Sequence, residues 1–174
     1  MRVIMLLLGL LVLSCGAAVS SQVTKTHSEF DGATEFRMEP VWACSMCQIK
    51  IGVYRTTKMP ANAAVMVVQL ASTGFVMNPV FASGKSLSFM VDDKLYSFEA
   101  KGPTNKNKAA DTKKSTVDTQ EYNTTKDFLK TLINGTLVTV KVKLVGGKYL
   151  DGIFPDWGLT TIRSGLADFY QQAF

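Results

Sequence analysis

Histidine is almost missing from this 174-residue chain, which has one, His27, and cysteine is sparse, with three, Cys15, Cys44 and Cys47. Catalysts of the Ser-His-Asp or Cys-His kind need an imidazole held in fixed geometry beside a nucleophile. His27 follows a small, polar stretch at residues 16–26 that has nothing to hold it, so it reads as an exposed linker histidine. Without a second pair of cysteines or histidines, a closed four-ligand zinc centre is disfavoured as well. Absent too are the phosphate-cradling glycine loops, the GxSxG elbow and the HExxH helix. No repeat of fixed period points to a propeller or solenoid. Charge is thin: 19 basic and 14 acidic residues leave a formal +5. That is below the density of a nucleic-acid binder, and neither a recognition helix nor an aromatic-basic sheet signature accompanies it.

The one long apolar run stands at the start. Arg2 precedes an unbroken apolar stretch at residues 3–13, followed by Ser14 and Cys15. Such a run is too short to cross a bilayer comfortably as a permanent span, and a basic residue before it with small residues after it mark export and cleavage. Residues 1–14 are therefore expected to be a cleaved signal peptide. The order Val12, Leu13, Ser14, Cys15 resembles a bacterial lipobox, in which the cysteine is lipidated and becomes the new N-terminus. Gly16 after it, rather than an acid, resembles lipoproteins passed to the outer membrane of a two-membrane cell, facing the periplasm. Residues 15–28 are expected to form a flexible tether, and residues 29–174 a single domain large enough to bury a core.

Within that domain, apolar and polar residues alternate with a period of two. Thr34, Phe36 and Met38 alternate with Glu35, Arg37 and Glu39, and Pro40 is expected to end the strand. Ile49, Ile51 and Val53 alternate with Lys50, Gly52 and Tyr54. Residues 63–71, apolar apart from Gln69, read as a strand buried on both faces. Leu87, Phe89 and Val91 alternate with Ser86, Ser88 and Met90, and the chain then turns at Asp92, Asp93 and Lys94 into a hairpin whose turn type stays open. Phe128, Leu129, Leu132 and Ile133 share one face of a short helix, with Thr124 as its cap and Asn134 and Gly135 as its stop. The cleanest alternation follows, Val138, Val140, Val142 and Leu144 against Thr139, Lys141 and Lys143, and Gly146 and Gly147 turn it into a partner strand at residues 148–154. Ile162, Leu166, Phe169, Tyr170 and Ala173 recur at helical spacing, capped by Thr160 or Thr161. About seven or eight short strands, two short helices and no alternating strand-helix units predict a mainly β domain, an antiparallel β-sandwich.

Three features bear on chemistry. The first is Cys44, Ser45, Met46, Cys47. Its CxxC spacing suits a redox dithiol, or a disulfide closing a short loop in an oxidising compartment. The residues after it alternate as a strand, however, where a redox dithiol wants the start of a helix. Met46, with Met38 nearby, adds soft sulfur ligands that suit monovalent copper in an exported protein. Met66 and Met90 lie in apolar strands and read as core fillers. The second feature is residues 101–118, where Lys101, Lys106, Lys108, Lys113 and Lys114 face only Asp111 and Asp118. With hardly an apolar side chain, this stretch is expected to be a mobile surface loop; beside a membrane its lysines would meet anionic head groups or polymers. The third is a set of carboxylates: Asp92 and Asp93 in a turn, and Asp151 and Asp156 flanking a strand end, positions usually chosen for backbone reasons. Two glycosylation triplets, at Asn123 and Asn134, would matter only in a eukaryotic secreted protein.

The lipobox, VTKTHSEFDGATEFRMEP at residues 23–40, SLSFMVDD at 86–93 and YNTTKDFLKTLINGTLVTVKVKL at 122–144 together resemble small bacterial envelope lipoproteins. The resemblance covers most of the chain beyond Cys15. It implies a lipid-anchored, β-rich envelope protein and carries no catalytic residue and no cofactor. Two functional readings follow. One is a binding or structural module, held at the membrane by lipid and meeting an anionic envelope polymer or another envelope protein, without nucleic acid. The other is a thiol-redox or copper-binding exported protein that uses Cys44, Met46 and Cys47.

Overall fold

The computed structural model describes residues 22–43, 49–71, 80–102, 105–107, 117–153 and 161–174. In chain order the elements are β1 (Val23–His27), β2 (Thr34–Trp42), β3 (Ile49–Thr56), β4 (Ala63–Ala71), β5 (Lys85–Val91), β6 (Lys94–Glu99), β7 (Asn105–Asn107), β8 (Val117–Thr125), α1 (Lys126–Asn134), β9 (Val138–Lys143), β10 (Tyr149–Ile153) and α2 (Thr161–Ala173). They form a six-stranded sheet, β1-β2-β3-β4-β8-β7, and a four-stranded sheet, β10-β9-β5-β6, with antiparallel pairing throughout. The domain is mainly β and sandwich-like.

Alternation fixes which faces meet. Ile49, Ile51 and Val53 of β3, Met66, Val68 and Leu70 of β4, Leu87, Phe89 and Val91 of β5, and Val138, Val140 and Val142 of β9 are all buried in one continuous core. The α2 helix lies over β1, β2 and β3, adding Ile162, Leu166 and Phe169. The α1 helix brings Phe128 among the rings of Phe89, Tyr96 and Phe98, at centroid distances of 5.5, 5.1 and 4.6 Å.

Several elements depart from the sequence expectation. The tether expected over residues 15–28 contains β1, an edge strand whose Thr24, Lys25 and Thr26 face solvent, so that main-chain pairing with β2 replaces side-chain burial. His27 ends that strand, exposed, with its Nδ1 3.1 Å from Thr34 Oγ1. Pro40 does not end β2. Met38 pairs with Val53 and Val41 with Ile51, so Glu39 and Pro40 together oppose Gly52 in a bulge, where a proline costs no ladder hydrogen bond. The loop expected over residues 101–118 contains β7, and Asp118 already belongs to β8 and is buried. Thr125, not Thr124, caps α1, accepting the Phe128 N–H at 3.2 Å. Gly135 is extended rather than left-handed, and it is required for closeness: a Cβ there would collide with the Val91 side chain. The partner strand runs Tyr149–Ile153, shorter than residues 148–154.

The β5–β6 turn resolves as well. Asp92 and Asp93 both have positive φ, 46° and 66°, the conformation of a two-residue turn whose twist matches the strands. Asp92 does a second job there: its carboxylate accepts the N–H groups of Thr136 at 2.9 Å and Leu137 at 2.9 Å, tying the α1–β9 connection to the hairpin tip. Asp92→Gly keeps the backbone at ease and removes only these bonds, so it should lower stability by about 1 kcal/mol. Asp92→Ala adds left-handed strain and should cost about 2 kcal/mol in all. Urea denaturation of the two variants measures the difference, and equal losses would mean that the turn conformation carries no strain.

Candidate functional site

The outward residues of the four-stranded sheet line a groove of about 650 Å³. Because Leu87, Phe89 and Val91 point inward, Ser88 and Met90 of β5 point out, and the same logic turns out Leu95 and Ser97 of β6 and Thr139, Lys141 and Lys143 of β9. A register shift between Lys85 and Leu87 turns Ser86 inward, where its hydroxyl meets Tyr122 Oη at 2.8 Å, and leaves Lys85 on the groove. Tyr149 stands opposite Lys143 on β10, and Lys141 Nζ lies 5.1 Å from its ring centroid. Across the middle runs a row of Lys141, Ser88 and Ser97, with 3.2 Å between the two serine hydroxyls. Asp151 is opposite Lys141 in register. Met90 is 46% exposed, Leu95 63% and Tyr149 52%, so these apolar surfaces belong to the groove and not to the core. Cationic donors, hydroxyls and a flat ring therefore share one face.

The outer face of the six-stranded sheet carries a linked group of charges of its own. Arg37 donates to Glu35 at 2.7 Å and stacks over the Tyr54 ring at 4.8 Å; Tyr54 donates to Glu121 at 3.1 Å, and Lys101 reaches the same carboxylate at 4.0 Å. Burial first, and then the Glu121 charge and hydrogen bond, push the Tyr54 hydroxyl up to about 12, against the pull of Arg37. The phenol is neutral in both folded and unfolded chains below pH 10. Above it the unfolded chain releases the proton that the folded chain keeps, so stability should fall as pH rises from about 10 towards 12. Difference absorbance titration against Tyr54→Phe should place the phenolate near pH 12. Glu121→Gln should lower that value only part of the way, because burial is the larger cause; a complete return to 10 would make the charge the main cause instead.

In the interior, β8 presents a polar row. Asp118, Gln120, Tyr122 and Thr124 stand opposite Leu70, Val68, Met66 and Ala64 and are buried. Asp118 accepts the Phe81 N–H at 3.0 Å and Tyr122 is bonded to Ser86, so the strand joins the sheets by hydrogen bonds as well as by the edge-on Phe81–Tyr122 contact. Burial holds the Tyr122 hydroxyl well above the ordinary tyrosine value, with the Ser86 bond opposing. Gln120 donates from Nε2 to the Gly102 and Glu121 carbonyls, both at 3.3 Å, while its Oε1 is buried without a partner. Such an acceptor costs about 1–3 kcal/mol.

Of the residues singled out from the sequence, Cys15, Cys44, Met46, Cys47, Lys108, Lys113 and Lys114 lie outside the described residues. The Ala43 N–H donates to the Ile49 carbonyl at 2.8 Å, so the chain enters and leaves the cysteine-bearing stretch at the hydrogen-bonded end of the β2–β3 hairpin. Met38 is buried in the core, 1% exposed, and so is not presented as a surface metal ligand. Met90, expected in the core, faces the groove instead; it shares the outward phase of Ser88, the signal that separates it from Met66. Lys101 pairs with Glu121, and Lys106 is placed in β7 opposite Asp118. Among the described residues no cluster of three or more His, Cys, Asp or Glu could hold a metal, and no helix is long and apolar enough to cross a membrane. The sequence reading missed Lys85, Ser88, Ser97 and Tyr149 as a group, because only the pairing of β5 with β9 gathers them. Scans against protein-family models, curated proteins and solved structures find no match.

Proposed function

We propose that the chain is a lipid-anchored envelope protein whose domain binds an acidic glycan strand along the outer groove of the four-stranded sheet. The groove carries the reading: Lys85, Lys141 and Lys143 supply cationic donors, Ser88, Ser97 and Thr139 supply hydroxyls, and Tyr149 offers a flat, half-exposed ring. Carboxylates on the glycan meet the lysines, sugar hydroxyls meet the serines and threonine, and the less polar face of a sugar ring packs on Tyr149, Met90 and Leu95. The lipobox-like sequence ending at Cys15 supplies the anchor, and a tethered domain meets a surface polymer at raised effective concentration. The thiol or copper alternative loses Met38, which fills the core.

The test has two arms. The full chain should bind polygalacturonate and not neutral dextran, with affinity falling as salt rises and the Debye length shrinks from about 10 Å at 0.1 M to about 3 Å at 1 M. With exposed ion pairs at about 0.5–1 kcal/mol each, the variant K85Q/K141Q/K143Q should bind at least about tenfold more weakly, with stability lowered by no more than about 1–2 kcal/mol. Equal binding by that variant would remove the groove from the proposal. In the second arm, Cys15→Ala should leave the protein unprocessed or released from membranes. A processed variant that still fractionates with membranes would remove the lipid anchor.

A further inference from the structure

We infer that the corner cavity between the two sheets binds a primary ammonium group, with Gln120 as its inner acceptor and Glu99 as its counter-charge at the mouth. This site is separate from the groove. The cavity, about 440 Å³, has walls that include Phe81, Ala100 and Val145, and its polar side chains are Gln120, Glu99 and Ser83. Gln120 is 2% exposed, and its Oε1 has no partner. The amide cannot simply turn over, because Nε2 faces the Gly102 and Glu121 carbonyls and a flipped amide would set oxygen against oxygen. Nearby backbone donors are engaged elsewhere: the N–H groups of Ala82, Ala100, Lys101 and Val145 go to the carbonyls of Lys143, Gly84, Glu121 and Val80. Among the described residues no donor reaches the Gln120 Oε1.

Charge selects the ligand. Among the described residues Glu99 is the one ionisable side chain lining the cavity, and its cross-strand neighbour Lys85 lines the groove instead. A carboxylate or phosphate would face two acceptors, whereas an ammonium brings three N–H donors and the opposite charge. The apolar walls suit a short alkyl chain behind it. A free amine and the side chain of a peptide lysine share this chemistry.

The test is NMR titration of the full, 15N-labelled chain with butylammonium and with Nα-acetyl-lysine amide. Both should cause saturable shifts at the Gln120 side-chain amide, Ala100 and Gly102, while butyrate and tetramethylammonium should not. Gln120→Leu should weaken binding at least about tenfold, the loss of a hydrogen bond to a charged group. Glu99→Gln should weaken binding. Tighter binding of the lysine amide assigns the site to a peptide, and equal binding to a free amine; either supports the proposal. No saturable shift, as when water alone fills the cavity, would overturn it, and so would unchanged binding by Gln120→Leu or equal shifts with tetramethylammonium.

Discussion

Gly52→Ala should lower the stability of the domain by about 3 kcal/mol, and Gly52→Val by more. Gly52 lies in β3 opposite the bulge of β2, and a Cβ built on it would lie 2.7 Å from the Met38 carbonyl oxygen and 2.8 Å from Pro40 N. Both are backbone atoms, so no rotamer change clears the space. Met38 is a core residue on the same strand, and moving its main chain disturbs packing against Val53 as well. Against a total of about 5–15 kcal/mol for a domain, such a loss is large. In urea, where small domains show slopes of about 1–3 kcal/mol per M, the midpoint should drop by about 1–3 M. Gly84 is the control. It has φ +75° and nothing within 4 Å of a built Cβ, so Gly84→Ala should show backbone strain alone, about 1–2 kcal/mol. A loss at Gly52 no larger than at Gly84 would mean that the bulge moves aside freely.

The bulge also shows where the sequence stops being legible. Strands whose inward side is apolar announce themselves: Ile49, Ile51, Val53 and Val138, Val140, Val142 alternate cleanly, and both appear as expected. β8 does not. Its inward row is Asp118, Gln120, Tyr122 and Thr124 and its outward row Thr119, Glu121 and Asn123, so the hydrophobic period vanishes even though the strand is central, between β4 and β7. Hydrogen bonds to Phe81 and Ser86 replace apolar burial there, and those partners come from a distant part of the chain. β1 hides for a different reason, since an edge strand needs only its main chain. The groove was half legible: Lys141 and Lys143 were readable as outward residues of the cleanest strand. Their company was not, because β9 pairs with β5 across an intervening β6, β7, β8 and α1, and no local pattern encodes that order.

Phe128→Ala should cost about 3–5 kcal/mol, the range for removing a buried aromatic side chain. Phe128 is 6% exposed and packs against three rings, two of them on β6 and one on β5. Each such pair adds about 0.5–1.5 kcal/mol beyond area burial, which puts the upper half of the range in reach. α1 is short, and its N-cap bond from Thr125 cannot hold it in place alone, so losing the ring loosens the helix from the four-stranded sheet. The same β5 and β6 carry Ser88, Leu95 and Ser97 on their opposite side. Because strand alternation separates the two faces, Phe128→Ala touches no groove residue. In conditions where it remains folded, it should therefore bind polygalacturonate within about twofold of the unmodified chain, since only contacts made at the binding surface set the affinity. The lysine variant should do the reverse, keeping most of its stability and losing binding. Urea midpoints and binding curves on both proteins give the comparison. If Phe128→Ala lost binding while still folded, the groove would depend on the packing beneath it, and the independence of the two faces would fail.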